Sequence, residues 1–356
     1  MRLRTSQRAS QSQAIAAGVA LLFAASLVAL VVGAAGLGFG DVVRSLIDLV
    51  PGIHLKHVLD GVDRTVLLEI RLPRIVLAAL VGGALSIAGS AFQGVFRNPL
   101  VDPYLLGTAA GAGLGATLVF SFESVFRGWI VNPLPVAAFV GALAAVTLSG
   151  LLASAVGGSG SEFGTGLPSS SLLLAGIAVA SFLTSMQTFF QQRRSDTLRS
   201  VYAWILGGLT TSGWGEVRMV LPYIVVSGLV LAGVAQAIDV LAVGDAEARS
   251  LGVSPGRIRV VVVLFASLAT AAAVSVAGLI GFVGLIVPHA VRAVVGPKSR
   301  TVLLVSFLVG GAFLVGADAV ARTVLAPAEL PIGVITAFVG APGFAVLLVR
   351  QHRRQS

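Results

Sequence analysis

The chain has no cysteine, its only lysines are Lys56 and Lys298, and charged residues make up just 11% of its 356 positions. The first absence excludes disulfides, thiolate metal sites and cysteine nucleophiles. The second removes the P-loop, because neither lysine sits in a Gly-x4-Gly-Lys-Ser/Thr loop. Any drive from ATP must therefore come from another subunit. His-Glu-x-x-His and Gly-x-Ser-x-Gly are also missing, so no catalytic constellation stands out. The third absence bears on solubility. A soluble domain carries roughly 25% charged residues, and this chain could not cover its own surface in water.

What is present fits a lipid solvent. The chain is 56% hydrophobic with a mean hydropathy of +0.97. A bilayer core about 30 Å thick needs about 20 apolar residues per helix. The apolar runs predict about ten spans, at 13–38, 74–95, 103–122, 133–156, 170–191, 216–238, 258–278, 281–296, 301–322 and 331–350. The runs are continuous, unlike the alternating segments of about 10 residues in a β-barrel, so the fold class is an all-α polytopic membrane protein. The net charge of +9 does not point to nucleic acid, since the basic residues are scattered singly between spans. The run from Ala14 to Phe39 is too long for a signal h-region of about 7–15 residues and reads as a retained first helix. Segment 40–70 is expected to hold a short surface helix. Segment 192–215, with Tyr202 and Trp204, reads as an interfacial amphipathic piece, and Gly157 to Gly166 as a flexible loop. Lysine and arginine divide almost evenly between the two sides, so the positive-inside rule is nearly silent. The arginines at both termini fall on one side, which favours termini in the cytoplasm.

Polar punctuation interrupts the spans at definite places. Arg71-Leu-Pro-Arg74 opens the second span, and Gly94-Val-Phe-Arg-Asn-Pro-Leu-Val-Asp-Pro-Tyr-Leu-Leu-Gly107 closes it. Gly244-Asp-Ala-Glu-Ala-Arg-Ser-Leu-Gly-Val253 leads to Gly281-Phe-Val-Gly-Leu-Ile-Val-Pro-His289, and Glu329-Leu-Pro-Ile-Gly-Val-Ile-Thr336 follows. Each has an ordinary reading. Residues 245–251 form a short charged helix with Asp245 and Glu247 at its dipole-favoured start and Gly252 as its cap. Arg71, Arg74 and Arg322 are interfacial anchors, with Asp318–Arg322 an i,i+4 pair. Gly107, Gly111 and Gly115 form one stripe for close helix packing. Ser169, Ser170 and Ser171 cap the fifth span. Pro288 breaks a helix, and His289 beside it has no partner at ligand spacing, so no metal site is expected. Ala84-Leu-Ser-Ile-Ala-Gly89 echoes Ala273-Val-Ser-Val-Ala-Gly278 on spans that run in opposite directions, as an inverted repeat would give.

The three motifs, in this order on these spans, resemble the permease subunits of ABC importers for iron-siderophore, haem and cobalamin over roughly residues 13–350. The resemblance implies the type II importer permease fold, with an inverted repeat of spans 2–5 and 7–10. It implies that residues 239–257 form a cytoplasmic coupling segment in which Asp245, Glu247, Ala248, Arg249, Leu251 and Gly252 meet the ATPase. It implies that Arg71, Arg74 and Arg322 receive acids of a substrate-binding protein, and that Ser169, Ser170 and Ser171 lie near an inner gate. The expected partners are a second permease copy or paralogue, two cytosolic ATPases, an extracytoplasmic binding protein and membrane lipid. No cofactor is expected on this chain, with ATP and Mg in the ATPase. The location implied is the plasma membrane, inner where there are two. The competing class is an ion-coupled secondary transporter, which would need ionisable groups near the midplane; Asp318 and Asp239 come nearest.

Overall fold

The computed structural model describes residues 2–32, 38–49, 55, 59–129, 131–156, 169–209 and 213–355, and these are helical almost throughout. The helices are α1 (Arg2–Val31), α2 (Phe39–Ile47), α3 (Gly61–Val95), α4 (Thr108–Ser121), α5 (Pro133–Val156), α6 (Ser169–Arg193) and α7 (Leu198–Ile205). They continue as α8 (Trp214–Gly233), α9 (Ala235–Val243), α10 (Asp245–Ser250), α11 (Pro255–Ala277), α12 (Val283–Val295), α13 (Ser299–Thr323) and α14 (Ile332–Gln355). Helices α3, α11 and α13 form the buried centre, while α1, α5, α6 and α8 turn most of their side chains outward. An apolar exterior around a packed centre is what a lipid-embedded bundle needs. The loop expected at 157–166 lies outside the described residues.

Seven helices are long and apolar enough to cross a membrane, against the ten expected; two further apolar helices, Thr108–Ser121 and Val283–Val295, are shorter, and the apolar stretch Ile332–Val346 is the first part of α14. The shortfall has a physical cause. After α3 ends, the chain climbs back into the bundle through turns and one short 3₁₀ turn over Pro103–Leu106 rather than as α-helix. Ser149 Oγ, well inside α5, donates to Leu106 O at 3.0 Å, and Pro103 packs beside Gly284. Helix α4 therefore starts part-way through the bundle and covers only about 21 Å at 1.5 Å per residue. The link 278–282 before α12 behaves in the same way. The two unwound segments meet where Tyr104 OH donates to Ile280 O at 3.1 Å and accepts from Ile280 N at 3.3 Å. Unwound backbone of this kind is tolerated at depth only when buried in protein or lining a cavity.

Several sequence expectations change in detail. Helix α3 begins at Gly61, thirteen residues before the expected 74, because Pro73 does not start it. A wider π-turn over Val66–Arg71 absorbs the proline. The carbonyl of Leu68, whose π-turn donor would be Pro73, instead accepts from Trp214 Nε1 at 3.1 Å. Pro288 likewise does not break α12. The Gly284 carbonyl that it leaves unpaired accepts from Gln93 Nε2 at 3.3 Å. The sixth span divides into α8 and α9. The surface helix expected in 40–70 is α2, with Ser45 buried and accepting from Leu59 N.

Close packing follows small residues. A Cβ on Gly82 would strike the Gly310 carbonyl, which brings α3 onto α13. Gly111 and Gly115 sit in the same way against Gly141 and Ala137 of α5. Gly107 departs from the expected stripe: it precedes α4 with φ +83° and serves the turn rather than the contact. Helix α7 buries one face, at Val201, against the bundle. Tyr202 is exposed, but Trp204 packs among Ala271, Val274 and Leu279, and Gly208 N donates to Ala277 O.

Candidate functional site

The polar residues gather at the two ends of the bundle. Arg74 lies on α3 just after the π-turn at Val66–Arg71 and Arg97 just beyond the end of that helix, so the two stand about 34 Å apart at 1.5 Å per residue.

At the Arg97 end, α10 is a single short turn of helix. Gly252, at φ +78°, donates to Arg249 O at 3.0 Å and Val253 donates to Ala248 O at 2.9 Å. This paired closure is that of a left-handed cap. Ala248 is fully buried against the bundle, whereas Leu251 is 68% exposed. Glu247, Arg249 and Gly252 are exposed as well. The carboxylate of Asp245 accepts from Arg259 at 2.8 and 2.9 Å and pairs with Arg97. Arg259 opens α11 and Arg97 closes α3, so one carboxylate ties α10 to two central helices. The six residues singled out in the sequence therefore divide: Asp245 and Ala248 form the root, and Glu247, Arg249, Leu251 and Gly252 the projecting tip.

Beside this turn lies an open cavity of roughly 490 Å³, lined in part by Gln93, Arg97, Asp239, His289 and Arg292. Gln93 holds it together, donating to Gly284 O and Leu285 O and accepting from Arg292 at 3.0 Å. Asp239 accepts from the N–H of Ser299 at 2.8 Å and so caps α13.

At the opposite end, each of the three expected docking arginines has partners within the chain. Arg71 donates to Leu30 O and Val31 O, carbonyls left open at the end of α1. Arg322 lies 3.3 to 3.4 Å from Ala29 O and Val32 O, and its Nε is 3.0 Å from Asp318 Oδ2, an ion pair without the alignment of a hydrogen bond. Arg74 is gripped along two edges. Its Nε and Nη2 donate to Asp318 at 2.8 to 3.2 Å, while Nη1 and Nη2 donate to Glu329 at 3.0 and 2.9 Å. Asp318 is 1% exposed and Glu329 51%. The hydrogen bond from Arg74 holds the Glu329 carboxyl below its usual range, with burial acting in the opposite direction.

Of the gate candidates, Ser169 and Ser170 open α6, but their side chains lie outside the described residues; Ser171 is half-buried. Sequence reasoning missed a longer feature of the same helix. Ser181, Ser185, Thr188 and Gln192 are exposed along one face of α6, the three hydroxyls each bonded to the carbonyl four residues back. Their spacing of four, three and four residues was the available signal. Also missed were Gln93, Trp214 and Glu329, whose partners lie more than 140 residues away in the chain.

Comparison with known proteins gives these ends a context. The FecCD transport family matches residues 21–350. The cobalamin import system permease of Halobacterium salinarum is 45% identical over 279 residues, covering 78% of this chain and 72% of that one. The Fe(3+) dicitrate transport system permease of Escherichia coli is 37% identical over 290 residues, covering 81% and 86%. A solved inward-facing metal-chelate type ABC transporter superimposes with a TM-score of 0.80 at 28% identity, over 95% of this chain and 99% of that one. With a family match across nearly its whole length and relatives well above 30% identity, the chain belongs to the FecCD transport family.

Proposed function

We propose that this chain is the membrane permease of an ATP-driven importer, and that it carries a ferric siderophore, haem or cobalamin across the plasma membrane. The observation that carries the reading is α10, a projecting turn rooted by Asp245 in two central helices, on a chain of the FecCD family. A motor subunit that grips Leu251, Glu247 and Arg249 moves α3 and α11 through Asp245, and no further linkage is required. The α10 end then faces the cytoplasm with both termini, and the Arg74 end faces outward. The seven long helices, the two shorter ones and α14 together make ten crossings. The paired breaks before α4 and α12, on opposite-running halves, support an inverted repeat; a superposition that fails to align the two breaks would remove it.

Two copies of this permease, or this one and a paralogue, enclose the pathway, and the hydroxyl face of α6 lines it with Ser169 to Ser171 at its inner end. Two ATPases, holding ATP and Mg, dock beneath. A substrate-binding protein docks above at Arg71, Arg74 and Arg322, where charge complementarity speeds encounter and sets orientation. Cobalamin and a ferric chelate rest on the two relatives' names, and haem on the hemin transport system permease of Yersinia pestis, 36% identical over 81% of this chain. An ion-coupled carrier would need an available acid at mid-bundle, and both candidates are engaged, Asp318 by two arginines and Asp239 as a helix cap.

The test is reconstitution with the cognate ATPase and binding protein. ATP turnover should rise when the loaded binding protein is added, and Leu251→Asp should abolish that stimulation while leaving the assembled permease intact. Full stimulation and uptake with Leu251→Asp would refute the coupling role.

A further inference from the structure

We infer that Glu329 is a resident substitute for the binding protein's acid: it covers the outward edge of Arg74 in the undocked permease and is displaced when that protein lands. The inference rests on the docking role proposed above and adds the step by which docking occurs.

A guanidinium offers two bidentate edges to carboxylates, and Arg74 has both filled. The Nε–Nη2 edge belongs to Asp318, which is 1% exposed and also paired with Arg322. No incoming group reaches that carboxylate without taking the bundle apart. The Nη1–Nη2 edge belongs to Glu329, which is 51% exposed and lies on the link between α13 and α14. An external carboxylate therefore gains Arg74 only by taking the place of Glu329. The link is built for this exchange. Leu330 N donates to Ala321 O at 2.9 Å, Ala328 N donates to Leu325 O at 2.9 Å, and Ile332 N donates to Gly207 O at 3.0 Å. With backbone fixed on both sides of Glu329, its release needs only a side-chain rotation into water. Before docking the arginine is kept paired and pre-oriented, which lowers the ordering entropy of the encounter. The substitute also weakens every docking event by the factor needed to displace it, which favours release of the binding protein after delivery.

The experiment measures the Kd between the permease–ATPase complex in nanodiscs and its cognate binding protein at low salt, for the native chain, Glu329→Gln, Arg74→Gln and the double variant. Glu329→Gln should tighten binding by about 1.5–5-fold, the range of a half-exposed pair. Arg74→Gln should weaken it, and adding Glu329→Gln to Arg74→Gln should then change nothing. If Glu329→Gln leaves Kd unchanged or weakens it while Arg74→Gln also weakens it, the substitution idea fails and docking at Arg74 stands. If Arg74→Gln has no effect, the docking reading fails and the inference fails with it. Should Glu329→Gln not fold, Glu329→Asp, whose carboxylate is drawn back from Arg74 by one methylene, gives the same comparison.

Discussion

Single side chains settle debts left by prolines. Pro73 and Pro288 sit inside apolar helices, and each leaves a carbonyl with no helical donor. Trp214 Nε1 answers at Leu68, and Gln93 Nε2 at Gly284 and Leu285. Replacing Gln93 by Leu leaves the Gly284 carbonyl unpaired and takes Gln93 away from Arg292 as acceptor. We expect a loss of about 1–3 kcal/mol, read as a lowered unfolding midpoint in detergent; an unchanged midpoint would show that water serves equally well. Glu329 makes a prediction about pH. Its carboxyl is held below the usual range in the folded chain, so the unfolded state binds the proton more readily. The pair's contribution is then complete above the ordinary carboxylate value of about 4.3 and is lost as pH falls through the lower folded value. Native protein and Glu329→Gln should differ in thermal midpoint at neutral pH by an amount that shrinks only below about pH 4. A difference that fades between pH 7 and 5 would assign the effect to another group.

At the scale of elements, the short turn α10 has separable parts. Asp245→Asn weakens the root without touching the tip. It should lower the uptake achieved per ATP hydrolysed while ATPase binding persists. Leu251→Asp disrupts the tip and should release the ATPase itself. Equal defects in binding for both variants would argue against this division. The positions of α10 and most spans were legible because hydropathy, a glycine cap and a charged break are local signals. The starts of α3, α4 and α12 were not. Their boundaries depend on how the chain re-enters the bundle, and on a tryptophan and a glutamine that accommodate prolines from more than 140 residues away in sequence. The arginines were legible as a group, but not their partners. Asp318–Arg322 shows as i,i+4 spacing, whereas Arg74–Glu329 spans 255 residues and exists only once α3 and α13 have packed.

The whole molecule is a buried three-helix centre with an outer shell that is not yet covered on every side. The hydroxyl face of α6 is the part of that shell least suited to lipid, and the proposed pathway accounts for it. The absence of native cysteine makes this simple to check. Single cysteines at Ser181, Ser185 and Thr188 should react with a water-soluble maleimide in membranes, while cysteines at Phe182 and Phe189, exposed on the neighbouring face, should stay unlabelled. Uniform labelling, or none, would place the helix wholly in water or wholly in lipid.

The meeting of Tyr104 with Ile280 has a mechanical consequence. Two strips of chain, one a single 3₁₀ turn and the other without helix, meet inside the protein and are riveted by one phenol, which both gives and takes a hydrogen bond. That one side chain joins the two stretches of chain, so any relative movement of the helices that carry them would bear on it. We expect Tyr104→Phe to leave assembly intact and to slow each stroke, seen as a fall in the rate of cargo release with unchanged ATPase binding. Unaltered release would mean that the movement does not bear on this contact.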